Sequence, residues 1–308
     1  HPRARTWILP SKGSYFGGDL IAGILASGLD QTEETAMLID VGTNAEVVLG
    51  SKDWLIACAG AAGPALEGGV ARMGMRAAGG AVEHVAIDRK QWQLAWRTIN
   101  EQPPVGICGS GLIDLAAELY LAQVIDLRGK LQADNAAWSP TQRTFIQQRL
   151  ITPGEQGEPA FMVASAQESG TGEPIVISQT DIDAMLRSKA AMYSILRTLT
   201  AQVGVEFAAL NRIYVAGAFG KHINPQQAIT LGMLPDLPAS TFKPVGNSSL
   251  LGAKQVLLDR TAAERAEHIA NQITYIELNV NQEFMNRFSG AKFIPHTDPS
   301  LFPSVPTF

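Results

Sequence analysis

The residues with the clearest chemical potential form the stretch Asp40-Val41-Gly42-Thr43-Asn44, between two apolar runs. A turn that contains glycine and a small hydroxyl residue lets backbone N–H groups approach phosphate oxygens, and a threonine hydroxyl adds a donor. An aspartate at a strand end can bind hydrated Mg²⁺, which prefers one or two carboxylates plus phosphate oxygens. We therefore predict that Asp40 is a catalytic residue that binds Mg²⁺, and that Gly42, Thr43 and Asn44 bind nucleotide. The alternative is a plain hairpin in which Asp40 and Asn44 only serve the turn.

Two further glycine-rich stretches are candidate nucleotide-binding residues. Gly109-Ser110-Gly111 opens a helix, and a helix N-terminus favours an anion; taken alone, an ordinary serine N-cap explains this stretch better. Gly217-Ala218-Phe219-Gly220 follows an apolar strand, where glycines let a flat adenine or ribose lie against the backbone. Phe219 could pack on the base. The alternative for this stretch is a simple strand-to-helix turn.

A glutamate, an arginine and the five histidines are further candidates for chemistry. Glu67 could position the attacking water or a Mg²⁺, although its alternative is an ordinary surface glutamate. Arg76 could contact a phosphate, but a structural salt bridge is the default for arginine. The five histidines show no metal-binding spacing, so we predict no zinc site.

The elements that must position these residues follow from periodicity and turn residues. The sequence predicts a helix over 17–28, a three-strand meander over 35–40, 45–49 and 54–59, helices over 112–120 and 180–203, a strand over 212–216 and a helix from 247. Gly28 is expected to cap the first helix. Thr180 and Asp183 are expected to form a capping box, and the last helix carries Leu250, Ala253 and Leu257 on one face. The order indicates an α/β protein and not a Rossmann arrangement.

Composition excludes several classes of protein. The chain has 308 residues, 46% hydrophobic and 17% charged, with a net charge of −5. That balance lacks the basic clustering of a nucleic-acid partner, and no apolar run reaches the roughly 20 residues that span a bilayer. The two cysteines, Cys58 and Cys108, are too few for a disulfide framework and indicate reduced thiols in a cytoplasmic protein.

The motifs in their order resemble the second lobe of the acetate-kinase, sugar-kinase, chaperone and actin superfamily. Within it they resemble the C-terminal part of the reductive activators of corrinoid proteins, over nearly the whole chain. The stretches that carry the resemblance are 38–50, 62–69, 74–77, 106–114, 214–220, 232–237, 246–253 and 293–298. The resemblance implies an RNase-H-like, actin/sugar-kinase-type lobe with a mixed sheet flanked by helices, plus an insertion. We expect residues 1–30 to end a preceding lobe, 31–270 to form the nucleotide-binding lobe with an insertion at about 128–175, and 271–308 to be a wrapping tail.

The resemblance also implies a function. Members of that family use ATP to reduce an oxidised Co(II) corrinoid of a methyltransferase system to Co(I), with an electron from an N-terminal two-iron ferredoxin domain held by four cysteines. This chain has two cysteines and one Asp-x-Gly-Thr loop, at Asp40. We therefore expect a C-terminal fragment that uses ATP and Mg²⁺, carries no iron–sulfur cluster, forms a homodimer and meets a corrinoid protein. With the first lobe missing, it should hydrolyse ATP weakly or not at all.

Two alternatives remain open at this point. The chain could be a small-molecule kinase, or an activator of a CoA-ester reductase or dehydratase, which bridges a four-iron cluster with two cysteines from each subunit. It could also be a docking or dimerisation module without enzymatic activity, as its aromatic-rich tail suggests.

Overall fold

The computed structural model describes residues 2–4, 6–12, 16–63, 68–69, 71–151, 157–278 and 282–308. In chain order its helices are α1 (Gly18–Ser27), α2 (Gly109–Leu121), α3 (Pro140–Arg149), α4 (Gln179–Gln202), α5 (Gly217–His222), α6 (Pro225–Leu231), α7 (Ser248–Leu258), α8 (Arg260–Gln272) and α9 (Gln282–Ala291). Its strands are β1 (Ala36–Val41), β2 (Asn44–Ser51), β3 (Trp54–Ala61), β4 (Ala81–Asp88), β5 (Gln93–Thr98), β6 (Gly106–Ile107), β7 (Leu150–Ile151), β8 (Ala160–Ala164), β9 (Ile175–Ser178), β10 (Arg212–Ala216), β11 (Phe242–Gly246) and β12 (Ile273–Glu277).

The chain divides into two compact units. The first comprises His1–Ala61, Ile195–Lys221 and Leu237–Phe284, and the second comprises Ala62–Ser194, His222–Asp236 and Met285–Phe308. The segment inserted after β3 is therefore longer than the 128–175 expected from sequence. Residues 1–30 and the start of the expected tail both fall in the first unit.

The first unit is built on one six-stranded mixed sheet with the order β11-β10-β1-β2-β3-β12. Strands β1, β2 and β3 form an antiparallel meander, as predicted. Strands β10 and β11 extend it on the β1 side, both parallel to β1. Strand β12 pairs in parallel with β3 at the other edge. A three-strand meander joined to two parallel strands is the RNase-H-like arrangement, so the predicted fold class is confirmed.

Helices α1 and α7 pack closely because their contact is made by small residues. A β-carbon at Gly252 would overlap the carbonyl oxygen of Ala22. Gly28 ends α1 in the left-handed conformation with φ of 69°, as predicted for its cap. The apolar face of a helix is ordinarily the buried one. In α7, however, Leu250 and Leu257 are 51% and 83% exposed.

The second unit contains two three-stranded sheets, β5-β4-β6 and β7-β8-β9. Helix α2 packs against β4, and α4 begins in this unit and continues into the first. The N-terminus of α4 is closed by Ser178 and Asp181, whose side chains accept each other's backbone N–H at 3.2 and 2.9 Å. The predicted capping box at Thr180 and Asp183 is therefore wrong by two residues. Within the described ranges, no helix is long and apolar enough to cross a membrane.

Candidate functional site

The candidate site lies in the first unit, where three parallel strands end at one edge of the sheet. Asp40 of β1 is paired with Ala216 of β10, and Ala216 is paired with Gly246 of β11. In open α/β sheets, ligands bind outside the carboxyl ends of the parallel strands. The structure thus brings the predicted hairpin and the predicted strand-to-helix turn to the same edge, together with the start of α7.

The close approach of backbone to Asp40 depends on glycine. Gly217 follows β10 with φ of 77°, a left-handed conformation that side chains disfavour. A β-carbon there would lie 3.3 Å from Oδ1 of Asp40. A β-carbon at Gly220 would overlap the carbonyl oxygen of Val215, so the chain can turn sharply from β10 into α5 only with glycine at this position. Because Gly217 has no side chain, a flat ligand could approach the backbone next to the carboxylate of Asp40.

The turn between β1 and β2 consists of Gly42 and Thr43. The N–H of Gly42 donates to the carbonyl of Asn44 at 2.8 Å and closes the turn. Strand β2 then places Glu46 directly across from Asp40. The hairpin therefore sets two carboxylates side by side at the end of the sheet, next to backbone that is free of bulky side chains.

The electrostatics of this edge are strongly negative. Burial, followed by the charges of Asp40 and Asp19, raises the pKa of Glu46 to about 7. Burial, followed by the charge of Asp19, raises the pKa of Asp40, although a backbone hydrogen bond opposes this. Asp19 lies in the first turn of α1. Burial and neighbouring negative charge therefore raise the pKa values of Asp40 and Glu46 and create a local demand for a cation.

A hydrated Mg²⁺ bound together with phosphates is one cation that these carboxylates could hold. No group of three His, Cys, Asp or Glu side chains in the described part of the chain could hold a metal ion by itself. Mg²⁺ usually keeps several waters and takes one or two carboxylates plus phosphate oxygens. The site therefore fits Mg²⁺ bound together with phosphates better than a metal ion held by protein alone.

Sequence reasoning missed Asp19 and Glu46. Glu46 carried a usable signal, because pairing of residues 41 and 45 around the Gly42-Thr43-Asn44 turn places residues 40 and 46 opposite each other in the hairpin. Asp19 had no such signal, since only the packing of α1 beside the sheet places it near Asp40.

Gly109, Ser110 and Gly111 lie in the second unit. Helix α2 begins at Gly109 with Cys108 as its N-cap, so Ser110 is not the N-cap. A β-carbon at Gly111 would overlap the carbonyl oxygen of Val82, which explains the glycine by packing.

Polar side chains on one face of α2 form hydrogen bonds with backbone groups of β4 that no strand pairs with in the described residues. Strand β6 pairs only with the first two residues of β4. Beyond them, side chains of α2 bind the backbone of β4 in three contacts: Ser110 Oγ to the carbonyl of Glu83 at 2.9 Å, the N–H of Val85 to Asp114 Oδ2 at 3.4 Å, and the N–H of Ile87 to Glu118 Oε2 at 3.2 Å. The serine hydroxyl is therefore engaged with protein backbone.

The remaining predicted residues are placed only in part. Glu67 lies outside the described residues, as do the side chains of Ala218 and Phe219. Arg76 is exposed. Both cysteines are buried, and burial raises the pKa of the Cys58 thiol far above its ordinary value. A thiol that resists ionisation is a poor metal ligand.

Comparison with known proteins gives the family. Residues 34–306 match the family described as the C-terminal domain of RACo, the ASKHA domain. The chain belongs to this family. A solved structure, the reductive activator for corrinoid, iron–sulfur protein, has a TM-score of 0.88 and 46% identity over 97% of this chain and 46% of its own.

Two curated relatives are similar over most of this chain. Corrinoid activation enzyme RamQ of Eubacterium limosum is 31% identical over 94% of this chain and 47% of its own length. The [Co(II) methylated amine-specific corrinoid protein] reductase of Methanosarcina barkeri is 24% identical over 91% of this chain and 49% of its own. The chain thus spans about half the length of the curated relatives it matches. The predicted membership of the reductive activators is confirmed.

Proposed function

We propose that this chain is the ATP-binding portion of an enzyme that uses ATP to return an inactive Co(II) corrinoid protein of a methyltransferase system to Co(I). The names of two curated relatives and of one solved structure describe corrinoid activation, corrinoid reduction or reductive activation. The observation that carries the nucleotide part is the edge where Asp40, the Gly42–Thr43 turn and Gly217 meet.

Each part of this edge has a distinct role in the proposal. The backbone of the Gly42–Thr43 turn binds phosphate oxygens, and Gly217 lets the nucleoside approach β10. Asp40 would hold Mg²⁺, and Asp19 and Glu46 would add negative charge that favours the cation. When bound, Mg²⁺ neutralises phosphate charge and orients the phosphates.

The electron in this proposal comes from a donor outside this chain, and the chain carries no cluster. The alternative of a CoA-ester reductase or dehydratase activator requires two thiolates per chain at a shared surface. Cys58 lies inside β3, paired with Val47 on one side and Ile276 on the other. Its side chain is fully buried, so the thiol does not lie at such a surface.

The nucleotide part is tested by calorimetric titration with Mg·ATP and Mg·ADP. Loss of one carboxylate that serves the metal should weaken binding about tenfold or more, so Asp40→Asn is expected to bind much more weakly than the unaltered chain. Asp53→Asn is the matched control, because Asp53 is an exposed aspartate of the same unit at the β2–β3 turn. Equal affinity of Asp40→Asn and the unaltered chain would refute the role of Asp40.

The corrinoid part is tested separately. The complete enzyme of which we propose this chain to be a portion is mixed with a Co(II) corrinoid protein and a low-potential chemical reductant, with and without Mg·ATP, and the Co(I) absorption band is followed. ATP-dependent appearance of Co(I) supports the proposal. Binding of the corrinoid protein without any effect of nucleotide would favour the docking-module alternative instead.

A further inference from the structure

The C-terminal segment, residues 292–308, folds onto the second unit. Its apolar side chains Ile294, Phe302 and Val305 are buried. The carboxylate of Asp236 accepts the backbone N–H and the hydroxyl of Ser304 at 2.8 and 2.7 Å. These contacts make the segment part of the unit's packing.

A buried lysine anchors the start of this segment. Lys189 of α4 is fully buried, and its amine donates to the carbonyls of Phe293 and Pro295, the latter at 2.8 Å. Burial holds the pKa of Lys189 well below its usual range. A neutral amine still has two donors for two carbonyls, so this anchor holds in either protonation state.

A histidine fastens the next part of the segment in a different way. The N–H of Asp298 donates to Nδ1 of His296 at 3.0 Å. Because Nδ1 accepts, the neutral ring must carry its proton on Nε2. The ring centroid lies 5.6 Å from that of Tyr193 and 6.4 Å from that of Phe302, so the imidazole is part of an aromatic cluster.

The surroundings of His296 oppose its protonation. Burial, followed by the charge of Lys189, lowers the pKa of His296, while Asp298 partly opposes this. In the described part of the chain, Lys189 and Tyr193 are the titratable groups that face the ring from α4. Asp298 faces it from the segment itself, and α9 contributes Gly290, which has no side chain.

We propose that His296 is a proton-operated latch that releases the C-terminal segment beyond it in acid. A protonated Nδ1 is a donor and would face the N–H of Asp298, which is also a donor. This hydrogen bond must therefore break, and the turn must open. Phe302 then loses its ring contacts with His296 and with Tyr193 of α4, whereas Lys189 keeps residues 293–295 in place. The device combines an anchor that does not depend on pH with a latch that does.

Hydrogen exchange measured by mass spectrometry at pH ~7.5 and ~4.5, corrected for intrinsic rates, tests the latch, because the lowered pKa of His296 moves its protonation to more acidic pH. Amides of residues 297–308 should exchange roughly tenfold faster in acid, while those of β1–β3 change little. In His296→Gln the amide oxygen can accept from Asp298 but does not titrate, so this response to pH should disappear. His268→Gln, at an exposed histidine of α8, should respond like the unaltered chain.

The proposal is overturned if residues 297–308 respond equally to pH in His296→Gln. It is also overturned if their protection persists in acid although His296 titrates. Should His296→Gln not fold, the imidazole ¹⁵N shifts of the unaltered protein decide. An unprotonated Nδ1 at neutral pH, protonated in step with the loss of protection, supports the latch, and a protonated Nδ1 at neutral pH refutes it.

Discussion

At the scale of single residues, the candidate site is defined by negative charge held close together. Asp40 and Glu46 face each other across the β1–β2 hairpin, and Asp19 adds its charge from α1. Such an arrangement is costly to the fold, because burial and neighbouring negative charge raise the pKa values of Asp40 and Glu46. Charged residues that destabilise the fold in this way are typical of functional sites.

Glu46 should make the stability of the folded chain depend on pH. Its pKa is raised from 4.5 to about 7 in the folded chain. Between these values the folded state holds a proton that the unfolded state has released, so this group's contribution to the free energy of unfolding falls as pH rises. Glu46→Gln removes this dependence. The variant should therefore gain stability relative to the unaltered chain between pH ~5 and ~8, as measured by urea denaturation without nucleotide.

Glu264→Gln is the control for this prediction, because Glu264 is exposed on α8 in the same unit. Its difference from the unaltered chain should stay constant over the same pH range. A constant difference for Glu46→Gln as well would show that Glu46 ionises as an ordinary glutamate.

At the scale of elements, the contact between α1 and α7 explains why α7 carries its leucines outward. Gly252 and Ser248 face α1, and the small residues bring the two helix backbones together. An added methyl group would have to push the helices apart. Gly252→Ala is therefore expected to lower the free energy of unfolding by about 3 kcal/mol.

The matched control is Gly28→Ala, at the end of α1. Gly28, unlike Gly252, has a positive φ, and no atom lies within 4 Å of a β-carbon placed there. Only backbone strain remains, and the expected loss is about 1 kcal/mol. Urea denaturation of both variants separates the two causes; equal losses would show that α1 and α7 tolerate the methyl group.

The polar face of α2 is also an element-scale feature. Asp114 and Glu118 are 2% and 7% exposed, and the pattern of an amphipathic helix would place such residues in solvent. They are buried because β4 has unpaired backbone groups beyond β6, and a buried N–H needs an acceptor. Their contacts with the backbone of β4 thus account for the burial of one oxygen of each carboxylate.

At the scale of the whole molecule, each of the two units is built from three separate segments of the chain, so the chain passes between the units several times. Helix α4 runs from the second unit into the first as one helix. Unfolding either unit should therefore disturb the other, and we predict one cooperative transition. Gly252→Ala in the first unit and Glu118→Ala in the second should shift the same transition, followed by circular dichroism and by tryptophan fluorescence.

Glu118→Ala is suited to this test because its carboxylate accepts from Arg89 at 3.0 Å and from Gln227 at 2.7 Å. Its removal leaves these donors unpaired, at a cost of about 2–3 kcal/mol. Two separate transitions, each moved by one variant only, would contradict the prediction.

The sequence by itself determined the local structure and the family. Glycine positions and apolar runs predicted the meander, the strand over 212–216 and the end of α1, because these depend on a few consecutive residues. The order of the motifs was enough for the resemblance that residues 34–306 confirm. The hairpin with Asp40 and the turn with Gly217 were both chosen from local chemistry.

Only the tertiary structure decided which of these stretches meet. Parallel pairing of β1 with β10 brings Asp40 close to Gly217, although the two residues are 177 positions apart in the sequence. The tertiary structure also adds Asp19 to the site, engages Ser110 with β4, and turns the leucines of α7 outward. Each outcome depends on which backbone or side chain a distant segment presents, and periodicity along the chain carries no information about that.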